Sequence, residues 1–165
     1  PVLKTRLGLL FYDLSIPLSD FVRFNPSPQR CIIVENKMTF LTLPILKDTI
    51  AIFGSGFKVD VLSRAAWLSD CSLYYWGDLD AQGFQILSLL RSTFPSAASV
   101  LMDMQTLRRF QDRIRQGRGI KLTELPFLTQ DERTVFEQLM AQNWRLEQEQ
   151  IDHEYAVAQL RTVIG

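Results

Sequence analysis

Two hydrophobic periods alternate along this chain. Cys31–Val34, Thr49–Phe53, Leu73–Trp76 and Ser99–Met102 are short continuous apolar runs, the pattern of buried strands. Around them, apolar residues recur at three- and four-residue spacing, the pattern of helices. Met38–Leu43 reads as a short helix stopped by Pro44. Val59–Leu68 reads as a second, with Leu62, Ala65 and Ala66 on one face. In Phe84–Leu90, the spacing of Phe84, Leu87 and Arg91, and of Ile86 and Leu90, gives a helix with a wide buried face. Met104–Gln116 is a further helix, ended by Gly117 and Gly119. The tail is helical: Thr129 and Glu132 make a capping box ahead of the stripe Val135, Phe136, Leu139 and Met140. A second amphipathic stretch, Leu146–Ile164, carries Leu146, Ile151, Tyr155 and Leu160. Strands alternating with helices make this an α/β chain.

Residues 1–30 keep neither period. Leu7–Phe11 is a short apolar run, Phe21–Phe24 alternates apolar and polar, and Asn25-Pro26-Ser27-Pro28 is a loop, because each proline pushes its predecessor out of helix. The expected division is a linker or the end of a preceding domain at 1–30 and one domain at 31–165. The chain starts at Pro1 without an initiator Met, as a piece of a longer protein or a processed one would.

Composition narrows the class. With 165 residues, 47% hydrophobic and 22% charged, the chain is long and apolar enough for one real core and is not disordered. Eighteen basic residues balance eighteen acidic ones. Zero net charge argues against a strongly basic nucleic-acid module but leaves room for DNA contact through a local patch. No apolar run reaches membrane-span length and no signal peptide opens the chain, so no membrane partner and a cytoplasmic location are expected. Cys31 and Cys71 sit at strand starts without zinc spacing and read as buried free thiols in a reducing cytosol.

The candidate chemistry lies where strands end. Leu73–Trp76 runs through Gly77 into Asp78 and Asp80, which flank one leucine, and Gly83 follows at the start of the helix. Ligands of open α/β sheets bind at the carboxyl ends of strands. Residues two apart in extended chain point the same way, so Asp78 and Asp80 can aim at one point. Converging carboxylates repel unless a cation lies between them, and oxygen-only donors suit magnesium, calcium or manganese. A solvated Asp-Gly turn is the competing interpretation of the same residues. Cys31–Val34 runs straight into Glu35, a second acid at a strand end. Gly54-Ser55-Gly56 follows the second strand and could present N–H groups to a phosphate or simply make a tight turn. Asp103 reads as a helix cap. The acidic run Glu147, Glu149, Asp152 and Glu154 reads as a solvated helix face, and His153, the only histidine, as a surface residue.

The order strand–Glu35, strand–glycine turn–helix, strand–Asp78-x-Asp80–helix, strand–Asp103 resembles a Toprim domain, the catalytic fold of topoisomerases, primases and related nucleases. It is more similar to the A subunit of type VI topoisomerase and its relatives, with Gly54, Gly56, Arg64 and Gly83 at matching positions. The phrases VENKMTFL, YWGDLDAQGFQIL and RLEQEQI resemble the carboxy-terminal domain of the Wadjet anti-plasmid protein JetD, over roughly Cys31 to Ile151. The resemblance implies a Toprim-like, Rossmann-like, mostly parallel sheet of about four strands flanked by helices. It implies a metal-dependent endonuclease that cuts double-stranded DNA alongside a condensin-like SMC complex, with a homodimer in the full-length protein. Relatives carry an upstream winged-helix domain, sometimes with a catalytic tyrosine. Tyr12, Tyr74, Tyr75 and Tyr155 match no such motif, so covalent topoisomerase chemistry is not expected.

Such hydrolysis needs an activated water and neutralised phosphate charge, which Mg2+ or Mn2+ supplies. Asp78 and Asp80 are the expected ligands, and Glu35 a further ligand or general base. Lys37 is a candidate phosphate contact and Arg64 a candidate DNA contact, though each also fits a surface role. Arg108, Arg109, Arg113, Arg115, Arg118 and Lys121 form the densest basic stretch, suited to DNA backbone or to solvent. Two other classes compete. A haloacid-dehalogenase-like phosphatase also uses Asp-x-Asp after a strand, but usually has Thr or Val where Gln82 stands. A non-catalytic DNA-binding or assembly module would have a decayed site, which the intact acidic trio argues against.

Overall fold

The apolar runs pair into one sheet. In the computed structural model, which describes residues 4–5, 7–10, 12–24, 26–54, 59–117, 119 and 124–165, β1 (Arg30–Val34), β2 (Thr49–Phe53), β3 (Ser72–Trp76) and β4 (Ala98–Ser99) lie in the order β2-β1-β3-β4. All three pairings are parallel, with Val34 opposite both Phe53 and Trp76. The sheet is therefore all-parallel, an α/β, Rossmann-like arrangement. A strand covered on both faces buries every side chain, which is why β1 reads as an unbroken apolar run; Cys31 to Val34 are all buried.

Helices cover the sheet. α1 (Leu18–Arg23) precedes β1, α2 (Lys37–Leu41) follows it, and α3 (Val59–Leu62) follows β2. α4 (Ala81–Thr93) follows β3 and seats Phe84, Leu87 and Leu90 in the core. α5 (Met104–Arg109), α6 (Gln130–Gln142) and α7 (His153–Val163) complete the chain. α1 is tied to the main body: Trp67 donates its indole N–H to the Phe21 carbonyl at 3.1 Å, and the two rings meet edge to face. The capping box of α6 forms as expected, the Thr129 N–H reaching Glu132 Oε2 at 2.8 Å. Cys31 is buried and Cys71 half-buried, both free thiols.

Five expected elements are shorter than their patterns, α2 among them, which ends at Leu41 rather than Leu43. β4 ends at Ser99, not Met102, because Leu101 turns left-handed at φ 60° and swings the chain off the sheet. The helix expected over Val59–Leu68 stops at Leu62; Ala65 leaves helical space and a tight 3-10 turn, Ala66–Asp70, drives Trp67 and Leu68 inward while Ala66 stays exposed. The helix expected over Met104–Gln116 ends at Arg109. Beyond a 3-10 turn, Arg115–Gln116 forms β5, antiparallel to β6 (Trp144–Arg145). The stretch Leu146–Ile164 is helical only from His153: Leu146 bridges to Leu79, and Gln148–Gln150 is a 3-10 turn. Phe11, Asn25, Ser55, Gly56, Arg118 and Lys121, to which the sequence assigned roles, lie outside the described residues. Among the described residues no helix is long and apolar enough to cross a membrane.

Candidate functional site

The chain leaves β1 towards β2 on one side and returns to β3 on the other, so the sheet changes direction between β1 and β3. A crevice at the carboxyl ends of strands is the ligand position in such sheets. Glu35 follows β1 and Asp78 follows β3 by one residue, so both stand at this switch point.

The backbone there brings the acids together. The Asp78 N–H donates to Glu35 Oε2 at 3.1 Å. Asp80 caps α4, its Oδ1 accepting from the Gly83 N–H at 2.8 Å. Asp78 Oδ1 accepts from the Gln148 N–H at 2.8 Å. Each acid thus has one oxygen held by a backbone N–H, while its other oxygen makes no hydrogen bond to a described residue. Two glycines make room. A Cβ at Gly77 would sit 2.5 Å from the Tyr75 hydroxyl and 2.7 Å from Glu35 Oε2, and one at Gly83 would collide with the Asp78 carbonyl. Gly83 is therefore what lets α4 start directly against the acidic turn.

Burial and crowding raise these carboxyls. Asp78 is pushed up to about 7 by desolvation, relieved in part by the Gln148 N–H and reinforced by Asp80, Glu35 and Glu147. Burial also raises Glu35, against the lowering effect of the Asp78 N–H, with Asp80 adding repulsion. Tyr75 is itself buried beside this trio, its hydroxyl outside hydrogen-bonding geometry with any described partner, and its pKa is raised by burial and the Glu35 charge. A buried tyrosine in this position is no exposed nucleophile.

Hard cations take carboxylate oxygens, and magnesium keeps much of its water and uses one or two carboxylates. The free oxygens of Glu35, Asp78 and Asp80 fit that donor chemistry. Among the described residues no group of three or more acid, histidine or cysteine side chains is placed to hold a metal ion together, so the fit is to a hydrated ion on no more than two of these carboxylates at once.

The expected cations do not join the acids. Lys37 is exposed on the first turn of α2, Arg64 is exposed in the turn after α3, and Arg108 and Arg109 are exposed on α5; none touches Glu35, Asp78 or Asp80. Arg109 lies over the Tyr155 ring at 4.8 Å. Arg113 pairs with Asp152 at 2.6 Å. The Gly54 N–H bonds to the Val34 carbonyl at 2.7 Å, extending the sheet pairing and leaving it no free donor for a phosphate.

The residues that the sequence pattern missed come from Glu147–Glu149. This segment is no solvated helix face. It lies across the switch point, with buried Gln148 bonded to Asn36, Trp76 and Asp78, Glu149 bonded to Asn36 Nδ2 at 2.7 Å, and Glu147 paired with Arg145 at 2.8 Å. The available signal was an uncharged glutamine between two glutamates, directly after apolar Leu146.

Fold and site together define an α/β, Rossmann-like protein with an acidic site at the switch point of a parallel sheet. The chain matches the family described as Wadjet protein JetD, C-terminal, over residues 2–160, and it belongs to that family. No curated protein matches it.

Proposed function

We propose that this chain is the Toprim-like catalytic domain of a divalent-metal-dependent endodeoxyribonuclease that cleaves plasmid DNA with a condensin-like SMC complex in Wadjet anti-plasmid defence. The observation that carries this reading is the gathering of Glu35, Asp78 and Asp80 at one switch point, each with an oxygen left open, in a chain of the JetD C-terminal family.

Asp78 and Asp80 would hold the Mg2+ or Mn2+, with Glu35 as a further ligand or as the general base. Bound there, the ion supplies Lewis-acid neutralisation of phosphate charge and a lower pKa for bound water. The protein's part is to orient and to move protons. The Gly83 N–H fixes Asp80 and the Gln148 N–H fixes Asp78. Glu35, its carboxyl raised by burial and standing beside Asp78, is the carboxylate placed to take a proton from water where it acts as the base. Lys37, Arg64, Arg108 and Arg109 are exposed and would meet the DNA backbone; with zero net charge, the isolated chain should bind DNA weakly and cut it poorly.

The test is cleavage and DNA binding by the full-length protein with its partner complex. Asp78→Ala or Asp80→Ala should abolish cleavage while DNA binding survives. Cutting at the wild-type rate by either variant refutes the assignment.

A further inference from the structure

Gln148 is 1% exposed and sits where β1 and β3 stop pairing. The last bond between the strands is a long one, Glu35 N–H to the Trp76 carbonyl at 3.3 Å. Beyond it the Gln148 side-chain amide takes the place that a peptide would fill in a ladder. Its Oε1 accepts from the Asn36 N–H at 2.6 Å and its Nε2 donates to the Trp76 carbonyl at 2.6 Å. The same residue's backbone N–H donates to Asp78 Oδ1 at 2.8 Å. The segment cannot slide, because Leu79 and Leu146 exchange both backbone bonds, at 2.9 and 3.1 Å, between the two aspartates.

We propose that Gln148 is the positioning residue of the acidic site. Its amide sets the gap between the chain following Glu35 and the end of β3, and its N–H aims the Asp78 carboxylate. Metal affinity therefore depends on an uncharged side chain that donates no oxygen to the ion. This inference rests on the metal-binding reading of Glu35, Asp78 and Asp80, and it concerns how they are held rather than whether they bind. Partners that orient metal-binding carboxylates are worth about 10–100-fold in metal affinity when removed.

The experiment measures Mn2+ affinity of this chain, without DNA, from the EPR signal of free Mn2+. The proteins are wild type, Gln148→Ala, Gln148→Met and Leu139→Ala. Gln148→Met keeps the length and adds no charge but loses the acceptor for Asn36 and the donor to Trp76, and it carries the test if the alanine variant does not fold. Leu139, 1% exposed on α6, is the control for a general loss of packing. The expected result is an affinity loss of about 10–100-fold in folded Gln148→Met, with Leu139→Ala at the wild-type value. Wild-type affinity in folded Gln148→Met overturns the positioning role, and so does an equal loss in Leu139→Ala. A wild-type chain that binds no Mn2+ overturns the metal reading beneath it instead.

Discussion

The two ends of α4 treat buried carboxylates in opposite ways. In its last turn, Arg91 grips Glu132 through two bonds, Nη1 to Oε2 at 2.5 Å and Nη2 to Oε1 at 2.8 Å. The Ser99 hydroxyl and the Thr129 N–H add donors, and Arg91 spends its other N–H groups on the Ala97 and Phe127 carbonyls. Burial alone would raise Glu132, but these partners outweigh it and hold the carboxyl at about 2. At the first turn, burial raises Asp78 to about 7, because one N–H is its partner and three acids face it. Desolvation acts at both ends; what differs is whether the protein supplies the positive charge. The Arg91 end closes its own charge balance and holds α4, β4 and α6 together. The Asp80 end leaves negative charge open, which suits a site that takes its cation from solution.

The largest expected difference between the ends is in stability. Glu132→Gln leaves the Arg91 guanidinium buried without a countercharge, at a cost of about 3–5 kcal/mol. That lowers Tm by roughly 6–20 °C for a domain of this size. Asp78→Asn, the matched change at the other end, keeps the acceptor for the Gln148 N–H and removes one of the crowded charges. It should melt higher than wild type at pH 8 in chelator. Calorimetry of both variants decides: equal losses would mean the acidic end is not crowded.

Metal should separate the ends next. An ion bound only by the folded state stabilises by about 2.7 kcal/mol at a hundredfold excess over Kd. Glu132→Gln, though less stable, should gain as much from Mg2+ or Mn2+ as wild type. Asp80→Asn keeps the cap on α4, since Asn caps as well as Asp, yet should gain little. Melts with chelator and with metal test this, and a full gain by Asp80→Asn would sever the acidic end from any ion.

Much of this comparison was legible in the sequence, for local reasons. β1, β2 and β3 showed as apolar runs because strands in a covered parallel sheet bury both faces. Glu35, Asp78 and Asp80 stood out as candidates because each lies within four residues of a strand end. The Thr129–Glu132 box announced itself by spacing, but its second use did not: spacing with Phe84 and Leu87 put Arg91 on the buried face of its helix, while the carboxylate it pairs with lies 41 positions away. Gln148 was invisible for the same reason, since its bond to the Asn36 N–H spans 112 positions. Helical spacing over Leu146–Ile164 was a true pattern serving a different backbone, in which Leu146 is buried by bridging Leu79. Met104–Gln116 likewise kept its spacing while the chain left the helix after Arg109 to pair β5 with β6.

The smallest effect, and the one that reads both ends in a single curve, is stability against pH in chelator. Asp78 has its carboxyl raised from 3.8 to about 7 on folding. Below 3.8 it is protonated in both states and contributes nothing. Between these values the unfolded chain has released the proton and the folded chain still holds it, so stability falls as pH rises through the window. Acidifying from pH 7 to 5.5 should therefore stabilise the protein, by at most about 1.4 kcal/mol per pH unit for one proton. Glu35, also raised by burial, acts in the same direction. Glu132 runs the other way: its contribution is complete above 4.5 and is lost as pH falls towards 2. Wild type should then show a stability maximum near pH 4, with an upper limb belonging to the acidic end and a lower limb to the Arg91 end. Asp78→Asn should flatten the upper limb and leave the lower, while Glu132→Gln should weaken the lower and leave the upper. Urea unfolding at half-unit pH steps gives the curves. An upper limb that survives unchanged in Asp78→Asn would show that this carboxylate carries no excess repulsion, and the contrast between the ends of α4 would reduce to the Arg91 pair alone.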